Sequence, residues 1–178
     1  MSEIMYYNLV IEYKIERDVN HLKDTILLCY IASNYFKIKT LEKVLDRFRL
    51  QGNKIQIIVE YIYLSFHRVR SCTLWKDEDK PIIKNEKSLK QKMLIRKYYD
   101  GIHLTEAYSK LSCKSKEKLF TFVQDNHLKI YFLEKVIRKY VDVLTMSQII
   151  IDYILDSYNR VFEPKYNAIF IEEQNEYI

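Results

Sequence analysis

Between Lys129 and Val161 the apolar residues recur at helical intervals. Leu133, Val136, Ile137, Tyr140, Val141 and Leu144 follow the spacing i, i+3, i+4, i+7, i+8, i+11, which lays one continuous stripe along a helix. Ile150, Tyr153, Ile154, Ser157 and Val161 form a second stripe. The same pattern occurs ninety-two residues earlier, from Lys37 to Val69, with Leu41, Val44, Leu45 and Phe48, then Ile58, Tyr61, Ile62, Ser65 and Val69. Aligned without a gap, the two stretches are identical at fourteen of thirty-three positions, where unrelated segments share roughly two. The same offset sets Tyr6-Tyr7-Asn8 against Tyr98-Tyr99-Asp100. The pattern therefore predicts an all-α protein that is a tandem duplication of a helical unit of about ninety residues. Each unit ends in a long antiparallel helix hairpin. The units run over 1–84 and 85–178, and each alone is near the lower size at which a core supports itself. They are expected to pack as a pseudo-symmetric pair in one body.

Corner residues refine this expectation. Gly52 suits a left-handed position after the first hairpin helix, with Asn53 capping the next. In the second unit Thr145 and Gln148 read as a capping box, with Leu144 and Ile149 as a hydrophobic staple. Pro164 stops the last helix. Gly101 ends a basic helix running from Ser88 to Tyr99, and Thr105 caps the short helix that follows. Residues 5–16 are ambiguous. Tyr7, Leu9, Ile11, Tyr13 and Ile15 alternate as in a strand, whereas Tyr6, Leu9, Val10 and Tyr13 fit a helix. Their counterpart from Tyr98 to Ala107 does not alternate, which favours helix. A helix from Asn20 to Tyr35 corresponds to Ser115–Gln124. Ser71–Lys87, with Trp75, Asp77-Glu78-Asp79 and Pro81, reads as the linker. The tail after Pro164 reads as a short strand, a docked extension or a partner-binding segment.

Composition narrows the function classes. Sixteen Tyr with only two Gly and two Pro favour long helices and supply amphipathic rings for interfaces. Three isolated cysteines without a CxxC pair point to a reducing compartment, cytoplasm or nucleus. The chain does not begin as a signal peptide does, and no apolar run approaches eighteen residues, so no membrane role is expected. His21, His67, His103 and His127 lie far apart, which gives no metal-ligand spacing. Gly52 and Gly101 are too few for a phosphate-cradling loop, and no Ser or Cys sits in a nucleophile motif. No cofactor, no metal and no enzymatic activity are expected.

The net charge of +5 permits an acidic partner. Lys84, Lys87, Lys90, Lys92, Arg96 and Lys97, with Trp75 before them and Tyr98 and Tyr99 beside them, mix cations with rings. That mixture suits RNA, whose splayed bases stack on aromatics; the competing reading is a solvated linker and helix. Tyr99–Leu119 faintly resembles a helix-turn-helix that would set Lys114, Lys116 and Lys118 against DNA phosphates; the competing reading is two packed helices with a solvated lysine face. Glu60/Asp152, Arg68/Arg160 and Gln56/Gln148 are polar in both copies. They read either as equivalent contacts on a partner or, preferentially, as caps and ion pairs within each unit. The leading expectation is a non-catalytic interaction protein that binds a protein or ribonucleoprotein surface, such as a ribosome-associated factor. The alternatives are a nucleic-acid-binding regulator using the Lys-rich helices, and a helical host-interaction protein with a groove for a partner helix.

Overall fold

Every regular element among the described residues is an α-helix. The computed structural model describes residues 2–15, 24–50, 52–74 and 89–162. The helices are α1 (Glu3–Ile15), α2 (Asp24–Ser33), α3 (Tyr35–Arg47), α4 (Lys54–Leu74), α5 (Leu89–His103), α6 (Glu106–Ser109), α7 (Cys113–Asp125), α8 (His127–Ile137) and α9 (Val143–Phe162). The ambiguous N-terminal segment is helical because Tyr6 and Val10, one turn apart, are both fully buried in the common core. The linker region beyond Leu74, the C-terminal tail, and with them Trp75, Lys84 and Lys87, lie outside the described residues. None of the described helices is long and apolar enough to cross a membrane.

The core is one contiguous cluster drawn from both halves of the chain. Tyr6, Val10, Leu27, Ile31, Leu41, Val44 and Leu45 are buried on one side. Tyr98, Ile102, Leu119, Val123, Leu133, Val136 and Ile137, each ninety-two positions on, are buried on the other. Local devices recur at the same offset. Asn34 separates α2 from α3, and its side chain donates to the Tyr30 carbonyl at 2.8 Å. Asn126 separates α7 from α8 and donates to the Phe122 carbonyl, also at 2.8 Å. Each asparagine thus takes a carbonyl of the preceding turn and bends two successive helices without a loop. Tyr6 donates to Glu42, and Tyr98 donates to Glu134 at 2.5 Å.

Between the halves, α3 packs along α9 and α4 along α8. Arg47 at the end of α3 pairs with Asp156 and lies 3.6 Å from Asp152 of α9. Lys139 and Tyr140, just after α8, meet Glu60 of α4 at 3.2 and 3.0 Å. The rings of Tyr61 and Tyr153 meet edge to face at 6.5 Å. The retained acids Glu60 and Asp152 therefore bridge the halves; among the described residues they make no ion pair within a unit. Gln56 and Gln148 are exposed.

Several corners differ from expectation. Gly52 does not adopt a positive φ; Arg49 does, at 58°. The Leu50 amide reaches back to the Leu45 carbonyl and the Arg49 amide to that of Asp46, a Schellman closure with arginine at the left-handed site. The register of that closure follows from where α3 stops, not from where a glycine stands. The stripe from Leu133 to Leu144 is not one helix, because α8 ends at Ile137 and Tyr140 lies in the connection. α9 begins before Thr145, and its cap is the Asp142 carboxylate, which accepts from the Thr145 amide at 2.9 Å. Hydrogen bonding to the Thr145 side chain, then to its amide, holds the Asp142 carboxyl below its ordinary range. Leu144 is exposed, so no staple forms. Gly101 lies inside α5. It lets α9 approach closely, since a Cβ there would stand 2.7 Å from Ile151 Cδ1. The first residues of the expected linker, 71–74, continue α4. α9 is described as far as Phe162, and Pro164, expected to stop it, lies outside the described residues.

Candidate functional site

The cationic residues singled out on sequence fall into three places. Lys90, Lys92, Arg96 and Lys97 are on α5, and Lys114, Lys116 and Lys118 on α7. Arg68 and Arg160 are near the ends of α4 and α9.

α5 and α7 form a groove of about 560 Å³ lined by Lys92, Ile95, Arg96, Tyr99, His103 and Phe120, among others. Its floor is aromatic. The Tyr99 ring lies 4.9 Å from Phe120 and 4.4 Å from His103, and His103 lies 4.3 Å from Tyr108. Such offsets and edge contacts hold rings firmly and leave part of each π face to a ligand. The Tyr99 and Tyr108 hydroxyls are 3.3 Å apart. Burial, then the bond to Tyr108, raises the Tyr99 pKa. On the rim, Lys92 has no carboxylate in ion-pair range among the described residues. Among the described residues Arg96 pairs with Asp100 at 3.9 Å, on a side chain 85% exposed, a pair worth little in water. The solvent face of α5 adds Leu89 and Met93, at 74% and 63% exposure. A second hollow of about 360 Å³, lined by Lys90, Leu94, Leu128 and Tyr131, adjoins it between α5 and α8.

The remaining lysines are occupied differently. Lys97 lies 3.6 Å from Glu134 and over the Tyr98 ring, which makes it part of the packing. Lys116 sits over Tyr108 and Lys118 over Phe162, at 4.8 and 5.9 Å. α6 is a single turn, capped by Thr105. The expected two-helix reader is thus one turn followed by α7, with Lys114 the lysine of that set not held over a ring.

Arg68 of α4 lies over the Phe132 ring at 5.9 Å, whereas Arg160 of α9 shares a cavity wall with Lys129 of α8 and Lys37 of α3. Lys37, Lys129 and Arg160 line a partly enclosed cavity of about 130 Å³ with Asn126, Tyr153 and Ser157. Burial, then Lys37, Arg68 and Arg160, pull the Lys129 ammonium down to about 7. Neither lysine was singled out on sequence. Both are identical in the two aligned stretches, and that was the signal available. No group of His, Cys, Asp and Glu able to hold a metal occurs among the described residues. Comparison with protein-family models, with curated proteins and with solved structures finds no match to this chain.

Proposed function

We propose that this chain is a fused pair of equivalent helical units that works without catalysis, as an interaction protein whose main contact face is the α5–α7 groove. The pairing is supported by contacts that exchange. Arg47 meets Asp152, and ninety-two positions on Lys139 meets Glu60. α3 meets α9 while α4 meets α8. Swapping the halves returns the same contacts, which is the property of an isologous, twofold interface and not of a head-to-tail stack. The matched Tyr–Glu bonds and asparagine bends support a common origin of the two units.

One observation carries the functional reading: a groove floored by packed rings and rimmed by cations with little or no compensation among the described residues. Rings and arginine or lysine at a cleft favour a partner that offers planar or apolar groups beside negative charge. A protein or ribonucleoprotein surface meets both needs, and the apolar Leu89 and Met93 extend the face beyond what phosphate contacts require. Direct binding of single-stranded RNA is the second reading, supported by the stacking surface of Tyr99 and Phe120.

The test is affinity capture from native lysate with the full chain and with a Lys92→Glu/Arg96→Glu double variant, each with and without nuclease. A defined partner captured by the native chain, retained after nuclease and lost with the variant, is the expected result. Recovery that disappears with nuclease supports the RNA reading. Equal recovery by the variant removes the groove from either account.

A further inference from the structure

We infer that the α5–α7 groove is occupied by this chain's own residues 169–173, which a partner must displace. The inference rests on the reading of that groove as a contact face and supplies its regulation. The groove calls for planar or apolar groups beside negative charge. Residues 163–178, which follow the described part of α9, offer that combination in one run: Ile169, Phe170 and Ile171, then Glu172 and Glu173. The same stretch holds four glutamates against one lysine, in a chain whose net charge is +5. Acid is gathered there and the excess of base lies in the rest of the chain, so the two attract.

The place from which the segment departs supports this occupant. Phe162, the last described residue of α9, stands against α7. Its ring is 6.2 Å from the Phe122 ring, and Lys118 Nζ lies 5.9 Å from its centre. The groove opens on the same helix α7, through Phe120 and Gln124. A helix with its side chains is about 10–12 Å wide, and the seven residues from Phe162 to Ile169 span up to roughly 23 Å when extended. The segment therefore crosses α7 with length to spare. In an extended run alternate side chains share a side, which sets Phe170 with Glu172. The ring then meets Tyr99 and Phe120 on the floor, and the carboxylate meets Lys92 and Arg96, one turn apart on the rim. Asp100 shares the groove and pairs with Arg96, so Lys92 gains most from the new carboxylate. A tether this short holds the segment at an effective concentration on the order of 1 mM, at which a contact of modest intrinsic strength is mostly closed.

The experiment treats the full chain, at low micromolar concentration, with a carbodiimide that joins carboxylate to amine without a spacer, and maps the links by mass spectrometry. A link from Glu172 or Glu173 to Lys92 within one chain is expected. A second arm titrates a labelled peptide of residues 165–178 into the native chain and into a Phe170→Ala/Glu172→Lys/Glu173→Lys variant, read by fluorescence anisotropy. For a peptide dissociation constant near 100 μM, competition from the tethered copy weakens binding to the native chain about tenfold relative to that variant. Lys92→Glu/Arg96→Glu should lose both the link and the peptide. Links that run only between two chains, or to Lys114 and Lys118 in place of Lys92, overturn the proposal. So does a peptide that binds the native chain and the Phe170→Ala/Glu172→Lys/Glu173→Lys variant equally, or neither. If these arms fail while Lys92→Glu/Arg96→Glu still abolishes partner capture, self-occupancy alone falls and the contact face stands.

Discussion

Removing one hydroxyl from each half gives a stringent prediction. Tyr98 and Tyr6 are both fully buried, so Tyr→Phe at either site keeps the ring and its packing and deletes one donor. At Tyr98 the lost bond is 2.5 Å to Glu134, a carboxylate only 8% exposed. Hydrogen bonds to charged groups contribute about 1.5–3 kcal/mol. Glu134 keeps Arg138 at 2.6 Å and Lys97 at 3.6 Å, which places the cost in the lower part of that range, about 1.5–2 kcal/mol. Glu42 keeps Lys39 at 3.9 Å and Lys54 at 3.8 Å after Tyr6→Phe, so the cost there is similar. For a chain of this size each kcal/mol moves the melting temperature by about 2–4 °C. Each single variant should therefore melt about 3–8 °C lower. The two sites share no partner, so the double variant should lose about 3–4 kcal/mol. Urea unfolding followed by circular dichroism reads all four proteins. A Tyr98→Phe variant within about 0.5 kcal/mol of native refutes the reasoning about the buried carboxylate. Single variants that differ by more than about 1.5 kcal/mol refute the claim that the two bonds do the same work.

Three further outcomes follow from single positions. Arg49 holds φ at 58° in the Schellman closure, so Arg49→Gly should raise the urea midpoint by a stabilisation of about 1 kcal/mol, with an unchanged slope. At Gly101 an added Cβ meets only the flexible end of Ile151, so Gly101→Ala should stay within about 1 kcal/mol of native while Gly101→Val costs about 2–3 kcal/mol in the same unfolding assay. Lys129 is pulled down to about 7 by burial and by Lys37, Arg68 and Arg160, with Tyr153 the other titratable group on the cavity wall. A lysine whose folded pKa lies below its unfolded value penalises the fold fully below about pH 7, where it is protonated in both states. The penalty then falls as pH rises toward the unfolded value of about 10.4. The native chain should thus gain on Lys129→Met between pH 7 and 9; a constant gap in melting temperature contradicts that account.

Much of the helical architecture was legible because burial and helical period coincide. Leu133, Val136 and Ile137 are on one face in sequence and in the core. Helix ends were less legible, because a terminus is fixed by which backbone groups find partners. Arg49 takes the left-handed site three residues before the glycine that looked suited to it. Asp142, not Thr145, caps α9, by accepting from the Thr145 amide. The Tyr98–Glu134 bond spans thirty-six residues, so no local pattern contains it, although both residues sat in matched blocks. The small cavity beside Lys129 brings Lys37, Lys129 and Arg160 together from three helices. Only the repetition of Lys37 at the common offset marked the two lysines, and the spacing within either copy did not. The α5–α7 groove was half visible as a basic stretch beside Tyr99. Its floor needed Phe120, which α7 brings back after the single turn of α6.

The proposed dyad is tested most directly by spin-label distances. Gln56, Gln148, Asp46 and Arg138 are all exposed, and 56 corresponds to 148 as 46 does to 138. After Cys29, Cys72 and Cys113 are replaced by serine, one variant carries labels at 56 and 138, the other at 148 and 46. A twofold relation makes the two distances the same, and coincident distance distributions by pulsed electron paramagnetic resonance are the expected result. Clearly separated distributions, as a head-to-tail stacking of the halves would give, contradict the account.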